Sequence, residues 1–332
     1  MTSAASTSSA AGEISPSSPP PASAAAVTAA ILRIYGVFLR STSLSPSPMV
    51  NAAFSELVSL CIWPYDGATV AAILADRRVC GIAADLRGKC SEGEYELELW
   101  WADRLLRDGG TGVDASTYNL PSIHPPIHGP SDPALTCVRA CVAGTAWEAL
   151  RAFPYFRNYM DLSRLELAAL AAVRGSAIGS LAFVGSGPLP LTSICLSTLL
   201  SPAPRRIHNV DSCPRAIALS RELCGRLRVP LTFEHADARD VALDAFDVVV
   251  LAGLVGANAD EKALILGNVV RSCRQGALLV LRSAHGLRTL LYQEIDAACL
   301  RALGLDVLLV VNPWNDVVNS VVVCRVAARA RL

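Results

Sequence analysis

The chain has 332 residues, with 29 Lys and Arg against 29 Asp and Glu, a formal net charge of +0 and a pI of about 6.9. That balance argues against a polyanion-binding surface, so nucleic acid is not an expected partner. Although 52% of the residues are apolar, no uncharged run approaches the ~20 residues of a membrane span, and the length leaves room for about two domains.

Residues 1–26 are Ser, Ala, Thr and Pro with one charge, Glu13, and no basic residue precedes Arg33. Secretory and transit signals want basic residues, so a disordered tail is expected. From Val27 the pattern is helical: Ile31, Ile34, Tyr35 and Phe38 recur at three- and four-residue steps. Ser43 to Pro48 breaks it. Further helices are expected over Val50–Leu60, Ala68–Arg77 and Arg87–Leu106. Residues 108–136, rich in Gly, Pro, Ser and Asp, read as a long loop. His124 and His128 in that loop would suit a metal only on a helix, and Pro125, Pro126 and Pro130 forbid one. A helix over Thr136–Leu150 follows, then an interruption from Phe153 to Tyr159. The next helix, Leu162–Val173, is expected to be capped by Asp161 or Ser163, with Glu166 in its first turn.

From Ala177 the rhythm becomes strand, helix, strand. Leu181–Val184 is an apolar run of buried-strand length that stops at Gly185-Ser186-Gly187. Pro188 to Thr192 opens a helix. Arg206–Val210 leads to Asp211, then a helix over Pro214–Leu227 and a strand from Leu231 running to Asp237. Ala245–Ala252 is a strand buried on both faces. A helix over Asp260–Cys273, a strand over Gly276–Ser283 and a helix over Leu287–Ala302 follow. Val307–Val311 and Val317–Val326 have too little between them for parallel pairing, so they predict an antiparallel hairpin. The fold class is α/β: a Rossmann-like sheet over 177–326 with a terminal antiparallel hairpin, preceded by a helical domain over 27–176 and followed by a short tail, 327–332.

Strand, glycine turn and helix are the parts of a ligand site, with a generic turn as the alternative, since a lone G-x-G is weak evidence. Glycines let the backbone approach a ligand, and the helix start favours an anionic group. Pro190 stands where the third glycine of the dinucleotide fingerprint would be. Asp211 follows at the interval of a ribose-binding acid, with a helix N-cap as the alternative role. Asp237 closes the third strand, where an acid meets an adenine amino group; it could equally serve the turn or pair with Arg239. NAD would fit the same parts, but the missing glycine and the terminal hairpin favour S-adenosylmethionine. None of the eleven cysteines forms C-x-x-C. Cys137 and Cys141 have the spacing of a buried helix face, with a metal or disulfide role as the alternative. Free buried thiols fit a reducing compartment, and a cytoplasmic protein is expected.

The chain resembles the nicotianamine synthases from about Ile31 to Arg325. The resemblance is carried by Ser45-Pro46-Ser47-Pro48 with Asn51 and Phe54, by Cys90-Ser91-Glu92 with Leu97-Glu98, and by Phe153-Pro154-Tyr155 with Asn158-Tyr159. It continues in Phe183 to Ser193, in His208-Asn209 with Asp211, in Leu281-Arg282-Ser283-Ala284-His285-Gly286, and in Asn319-Ser320. It implies transfer of the 3-amino-3-carboxypropyl group of S-adenosylmethionine, with release of methylthioadenosine and assembly of the metal chelator nicotianamine. No cofactor is expected beyond that substrate, no metal site in the enzyme, no membrane partner, and no particular oligomeric state. Glu98 matches the family's Leu-Glu pair and is the candidate base, with a solvated acidic helix face as the alternative. Tyr155 and Tyr159 would orient substrate amino and carboxylate groups. Gly185, Ser186, Gly187, Asp211 and Asp237 would bind the nucleoside. Arg282 would hold a carboxylate and His285 would accept a proton, unless both serve the domain junction.

The chain departs from the family at Trp100-Trp101, which stand where the family commonly has His-Tyr, and at Phe156, Cys213 and Asn312. The loop over 108–133 is also longer. Bulky Trp100 and Trp101 in an acceptor cavity would favour a shorter product or a non-catalytic binder of S-adenosylmethionine. A methyltransferase is the remaining alternative.

Overall fold

A computed structural model describes residues 23–107, 144–256 and 259–327. The tail expected over 1–26 lies outside the described residues up to residue 22 and is helical from Ala24, and the loop with His124 and His128 and the pair Cys137 and Cys141 lie outside them too.

The first helix starts earlier than its apolar pattern. α1 spans Ala24–Arg40, because Ser23 caps it by accepting a hydrogen bond from the Ala26 N–H. Val27, Ile31 and Ile34 on one face are fully buried, and Phe38 is nearly so. α2 (Pro48–Ile62) is capped by Ser47 with Pro48 in its first turn, and α3 (Gly67–Ala75) is capped by Asp66. Such caps satisfy N–H groups that have no partner inside a helix and contribute ~1 kcal/mol each. α4 (Arg77–Arg107) runs 31 residues without the break expected before Arg87. Gly81 and Gly88 cost ~1 kcal/mol each against Ala, and burial of Val79, Leu86 and Cys90 offsets that.

After the undescribed segment come α5 (Gly144–Arg151) and α6 (Phe156–Val173). α6 begins six residues before the expected Leu162, so neither Asp161 nor Ser163 is its cap. Asp161 pairs instead with Arg157 and Arg164, one turn to either side. The reason is packing: Phe156 and Met160 are buried in one cluster with Phe153. The early start matters, because it places Tyr159 on a helix.

The second half follows the expected rhythm: β1 (Ser180–Val184), α7 (Leu191–Leu199), β2 (Arg206–Asp211), α8 (Pro214–Leu227), β3 (Thr232–His235), β4 (Val248–Leu251), α9 (Ala259–Ser272) and β5 (Leu278–Ser283). The helix expected over Leu287–Ala302 is instead a 3-10 turn, Gly286–Leu290, and a short α10, Ala297–Ala302. Between them the chain folds back, and the Ile295 N–H donates to Ser283 Oγ at 2.9 Å. β6 (Leu305–Val311) and β7 (Ser320–Val326) close the chain as the antiparallel hairpin.

The seven strands lie in the order β3-β2-β1-β4-β5-β7-β6, parallel up to β5 and antiparallel beyond it. Val184 is in register with Val210 on one side and Leu251 on the other. The strand order reverses direction there, which opens a crevice beyond the carboxyl ends of β1 and β4. The helical and sheet regions share cores. Leu287, Leu290, Leu291 and Val318 pack with α1–α3, while Trp101, Leu105 and Phe153 pack with Leu189, Leu191 and Leu223. Among the described residues, no helix is long and apolar enough to cross a membrane.

Candidate active site

A cavity of about 760 Å³ lies where the helical region covers this crevice. That is within the roughly 300–1,000 Å³ of small-molecule sites. Its floor is the glycine turn. Gly185 has φ +83° and Gly187 φ +66°, a region that side chains avoid. A Cβ on Gly185 would come within 2.3 Å of Val255 Cγ2, and one on Gly187 within 2.5 Å of Glu98 Oε2. The glycines are therefore required twice, for the turn and for the approach of a helix carboxylate from the other side.

Asp211, at the end of β2, accepts hydrogen bonds from the Gly187 N–H at 2.8 Å and the Cys213 N–H at 2.9 Å. It braces the turn and is not the cap of α8, whose N-cap residue is Cys213. Asp237 lines the cavity beyond β3 and forms an ion pair with Arg239, which holds its carboxyl down at about 2. The pairing read from the sequence as one alternative is thus present alongside a position on the cavity wall.

Glu98 is 8% exposed and faces the cavity from α4. The Tyr159 hydroxyl of α6 lies 2.8 Å from its Oε1, within hydrogen-bond reach. Burial, then the neighbouring charges of Glu94 and Asp211, push its carboxyl well above the usual range. A buried carboxylate with a raised pKa is the equipment of a general base. The solvated acidic face is excluded for Glu98, although Glu92, six residues earlier, does pair with Lys89 at the surface. Tyr155 also lines the cavity, edge-on to Phe153 at 6.0 Å, and burial raises its phenol.

Arg282 lines the cavity, but it is committed by three hydrogen bonds. Nε donates to Glu166 Oε1 and Nη2 to Thr192 Oγ1, both at 2.8 Å, and Nη2 also reaches Glu166 Oε2 at 3.4 Å. The guanidinium ties β5 to α6 and α7, which is the junction role. His285 is not on the cavity wall. Its Nδ1 pairs with Ser320 Oγ at 2.9 Å, its ring packs against Trp314, and burial followed by Arg288 lowers its pKa.

Neither Trp100 nor Trp101 enters the cavity. Trp101 is buried edge-on to Phe153 at 5.7 Å, and Trp100 lies under the Arg104 guanidinium. The bulk that could have blocked an acceptor is taken up by a helix–helix core.

Sequence reading missed Glu94, Tyr292 and Asn319. Glu94 is one turn before Glu98 on α4; the i, i+4 spacing was the available signal. Its Oε1 lies 3.0 Å from the Tyr159 hydroxyl, and its Oε2 accepts from Tyr292 at 2.6 Å. Nothing in the sequence links Tyr292 to α4, 198 residues away. Asn319 Nδ2 and Ser186 Oγ are buried on the cavity wall without a hydrogen-bond partner. A bound polar ligand would satisfy both. The wall carries six carboxylates, Glu92, Glu94, Glu98, Asp211, Asp237 and Glu261, against three arginines. Two of those arginines, Arg239 and Arg282, already hold carboxylates. The surplus suits a cationic ligand. Among the described residues, no group of three or more His, Cys, Asp or Glu is placed to hold a metal.

Comparison with known proteins follows this geometry. Residues 138–330 match the family model described as nicotianamine synthase protein. The chain is 36% identical over 298 residues to nicotianamine synthase 3 of Oryza sativa subsp. indica, covering 85% of this chain and 73% of that one. It is 34% identical over 316 residues to nicotianamine synthase 1 of Hordeum vulgare, covering 92% and 84%. Among solved structures it resembles MtNAS in complex with S-adenosylmethionine, with a TM-score of 0.68 at 21% identity over 91% of this chain and 98% of that one. MtNAS in complex with MTA and tNA has the same TM-score and identity, over 91% and 97%.

Proposed function

Because the chain belongs to the nicotianamine synthase family, we propose that it condenses S-adenosylmethionine with itself, releasing methylthioadenosine and building nicotianamine, with Glu98 as the proton acceptor. The observation that carries the assignment of Glu98 is its carboxylate, buried between the glycine turn and Tyr159 on the wall of the cavity.

The chemistry follows from that arrangement. An α-amine is protonated at neutral pH and cannot attack until it loses a proton. Glu98 takes it. The freed nitrogen pair then forms a bond to the γ-carbon of a second molecule, the carbon–sulfur bond breaks, and its electrons stay on sulfur as methylthioadenosine leaves. The sulfonium is its own activated leaving group, so alignment of amine, carbon and sulfur supplies much of the acceleration. Asp211 is at the ribose position and Asp237 at the adenine position. Asn319 and Ser186 offer buried donors to the amino-acid end. Tyr155 and Tyr159 flank the amine. The carboxylate surplus favours a ligand that carries both a sulfonium and an ammonium.

The test is mass spectrometry of purified protein incubated with S-adenosylmethionine alone. Methylthioadenosine with nicotianamine is the expected result. S-adenosylhomocysteine would instead identify a methyltransferase. Binding without any product would identify a binder and overturn the reading. The open cavity and the removal of both tryptophans from its wall favour full-length product over a shorter one.

A further inference from the structure

Glu94, Tyr159 and Glu98 present one more acceptor than their hydrogens can serve. The Tyr159 hydroxyl lies 3.0 Å from Glu94 Oε1 and 2.8 Å from Glu98 Oε1. A phenol has one hydrogen and serves one of those contacts. Tyr292 does not supply the missing proton, because its own hydrogen goes to Glu94 Oε2 at 2.6 Å. Arg282, the cation whose field reaches both carboxylates, donates to Glu166 and Thr192. Two ionised carboxylates would leave two oxygens competing for one hydrogen at the cavity wall.

We propose that Glu94 and Glu98 hold one proton between them across Tyr159, and that Glu94 is the positioning residue that takes this proton and leaves Glu98 ionised towards the substrate amine. The inference rests on the reading of Glu98 as proton acceptor. The step balances. The Glu98 proton passes to the Tyr159 oxygen while the phenol hydrogen passes to Glu94 Oε1. Two O–H bonds break, two form, and the negative charge crosses from Glu94 to Glu98.

Their surroundings set where the proton rests. Glu94 is faced by Cys90 on its own helix, Tyr159 on α6, Tyr292 after the 3-10 turn and Arg282 on β5. Glu98 is faced by Glu94, Tyr159, Arg282 and Asp211. Burial raises both carboxyls. Phenol hydrogen bonds and Arg282 restrain the rise at both, and the charges of Glu94 and Asp211 add to it at Glu98. Tyr159, in reach of both, lets the proton rest on either carboxyl. A sulfonium and an ammonium beside Glu98 draw negative charge towards them, which moves the proton to Glu94 and readies Glu98. Each condensation then delivers one further proton to the pair, which must pass to water before the next amine is activated.

The test pairs the pH profile of methylthioadenosine release with difference infrared spectroscopy at neutral pH. In Glu94→Gln nothing takes the Glu98 proton across Tyr159, so Glu98 must lose it to water against burial and the Asp211 charge, and the rising limb of the profile moves to higher pH by about one unit or more. Glu94→Asp restores the limb. Glu98→Gln lowers release at least 100-fold at every pH, on the order of one lost catalytic proton transfer. A shared proton gives one carboxylic-acid carbonyl band that disappears in Glu98→Gln and, above the shifted limb, in Glu94→Gln. A limb that stays or moves to lower pH in Glu94→Gln, or a band that survives in Glu98→Gln, overturns the proposal. If wild-type protein releases no methylthioadenosine, the function reading fails, while the infrared band still decides whether the proton is shared.

Discussion

Replacing Gly187 by Ala isolates the contact between the two halves of the site. The substitution acts in two separable ways. Gly187 has φ +66°, and an Ala held in the left-handed region costs roughly 1–2 kcal/mol. The new Cβ would stand 2.5 Å from Glu98 Oε2 and 3.7 Å from Glu98 Cδ. That atom is the far end of a flexible side chain, so Glu98 yields by rotating away, and the clash adds little to the stability cost. The displacement, about 1 Å, is nonetheless on the scale at which misplaced catalytic groups lose ~100-fold in rate. Gly187→Ala is therefore expected to lower unfolding free energy in urea by roughly 1–2 kcal/mol and methylthioadenosine release by ~100-fold. Calorimetry reports whether S-adenosylmethionine still binds. Release within threefold of wild type would refute the idea that the glycine exists to admit Glu98. An equal loss of stability and activity with no folded fraction would be reported by circular dichroism and answered by the double change: Glu98→Ala combined with Gly187→Ala should cost about the sum of the two in stability, because the clash itself adds little.

Three further outcomes follow from named contacts. Glu166→Ala strands the buried Arg282 guanidinium, and urea unfolding should show a loss of about 3–5 kcal/mol. Gly93→Ala would place a Cβ 2.2 Å from the Phe54 ring, which lines the cavity and stacks on Phe38 at 4.3 Å. Overpacking there should cost about 1–3 kcal/mol, and the shifted ring should change the ratio of shorter products to nicotianamine in mass spectra; an unchanged ratio would show that Phe54 does not bound the acceptor. The pH dependence of stability has a definite sign for Glu98. Its folded pKa is raised, so its contribution is fully present below the unfolded value of about 4.3 and is lost as pH rises through the folded value. Glu98→Gln should therefore be more stable than wild type at alkaline pH by urea titration, with the difference shrinking as pH falls towards about 4. A difference that grows on acidification would mean that Glu98 is ionised and stabilised in the fold.

Much of the plan was legible because it is local. An apolar run ended by Gly185-Ser186-Gly187, with Asp211 closing the next strand, specifies strand and turn through backbone conformation and spacing alone. The terminal hairpin was equally legible, since two strands so close in sequence can pair only antiparallel. Local signals misled where burial outweighed propensity. Asp161 and Ser163 look like caps, yet α6 begins at Phe156 because Phe156 and Met160 bury one face with Phe153. α4 runs unbroken through Gly81 and Gly88 because its apolar face is buried. For Arg282 and His285 a junction role stood beside the substrate role, and Glu166 and Ser320 reach them from other elements.

The sequence by itself determined the strand and its glycine turn, and matched motifs pointed to Glu98, Tyr155 and Tyr159, which line the cavity. Only the tertiary structure decided what each does beside the others. It put Trp100 and Trp101 into a core, committed Arg282 to Glu166, and brought Tyr292 and Asn319 to the cavity from the far end of the chain. It also set one phenol between two carboxylates. The physical reason is that turns, caps and strand lengths depend on neighbours in sequence, whereas charge, desolvation and hydrogen-bond supply at a buried site depend on groups that folding alone brings within reach.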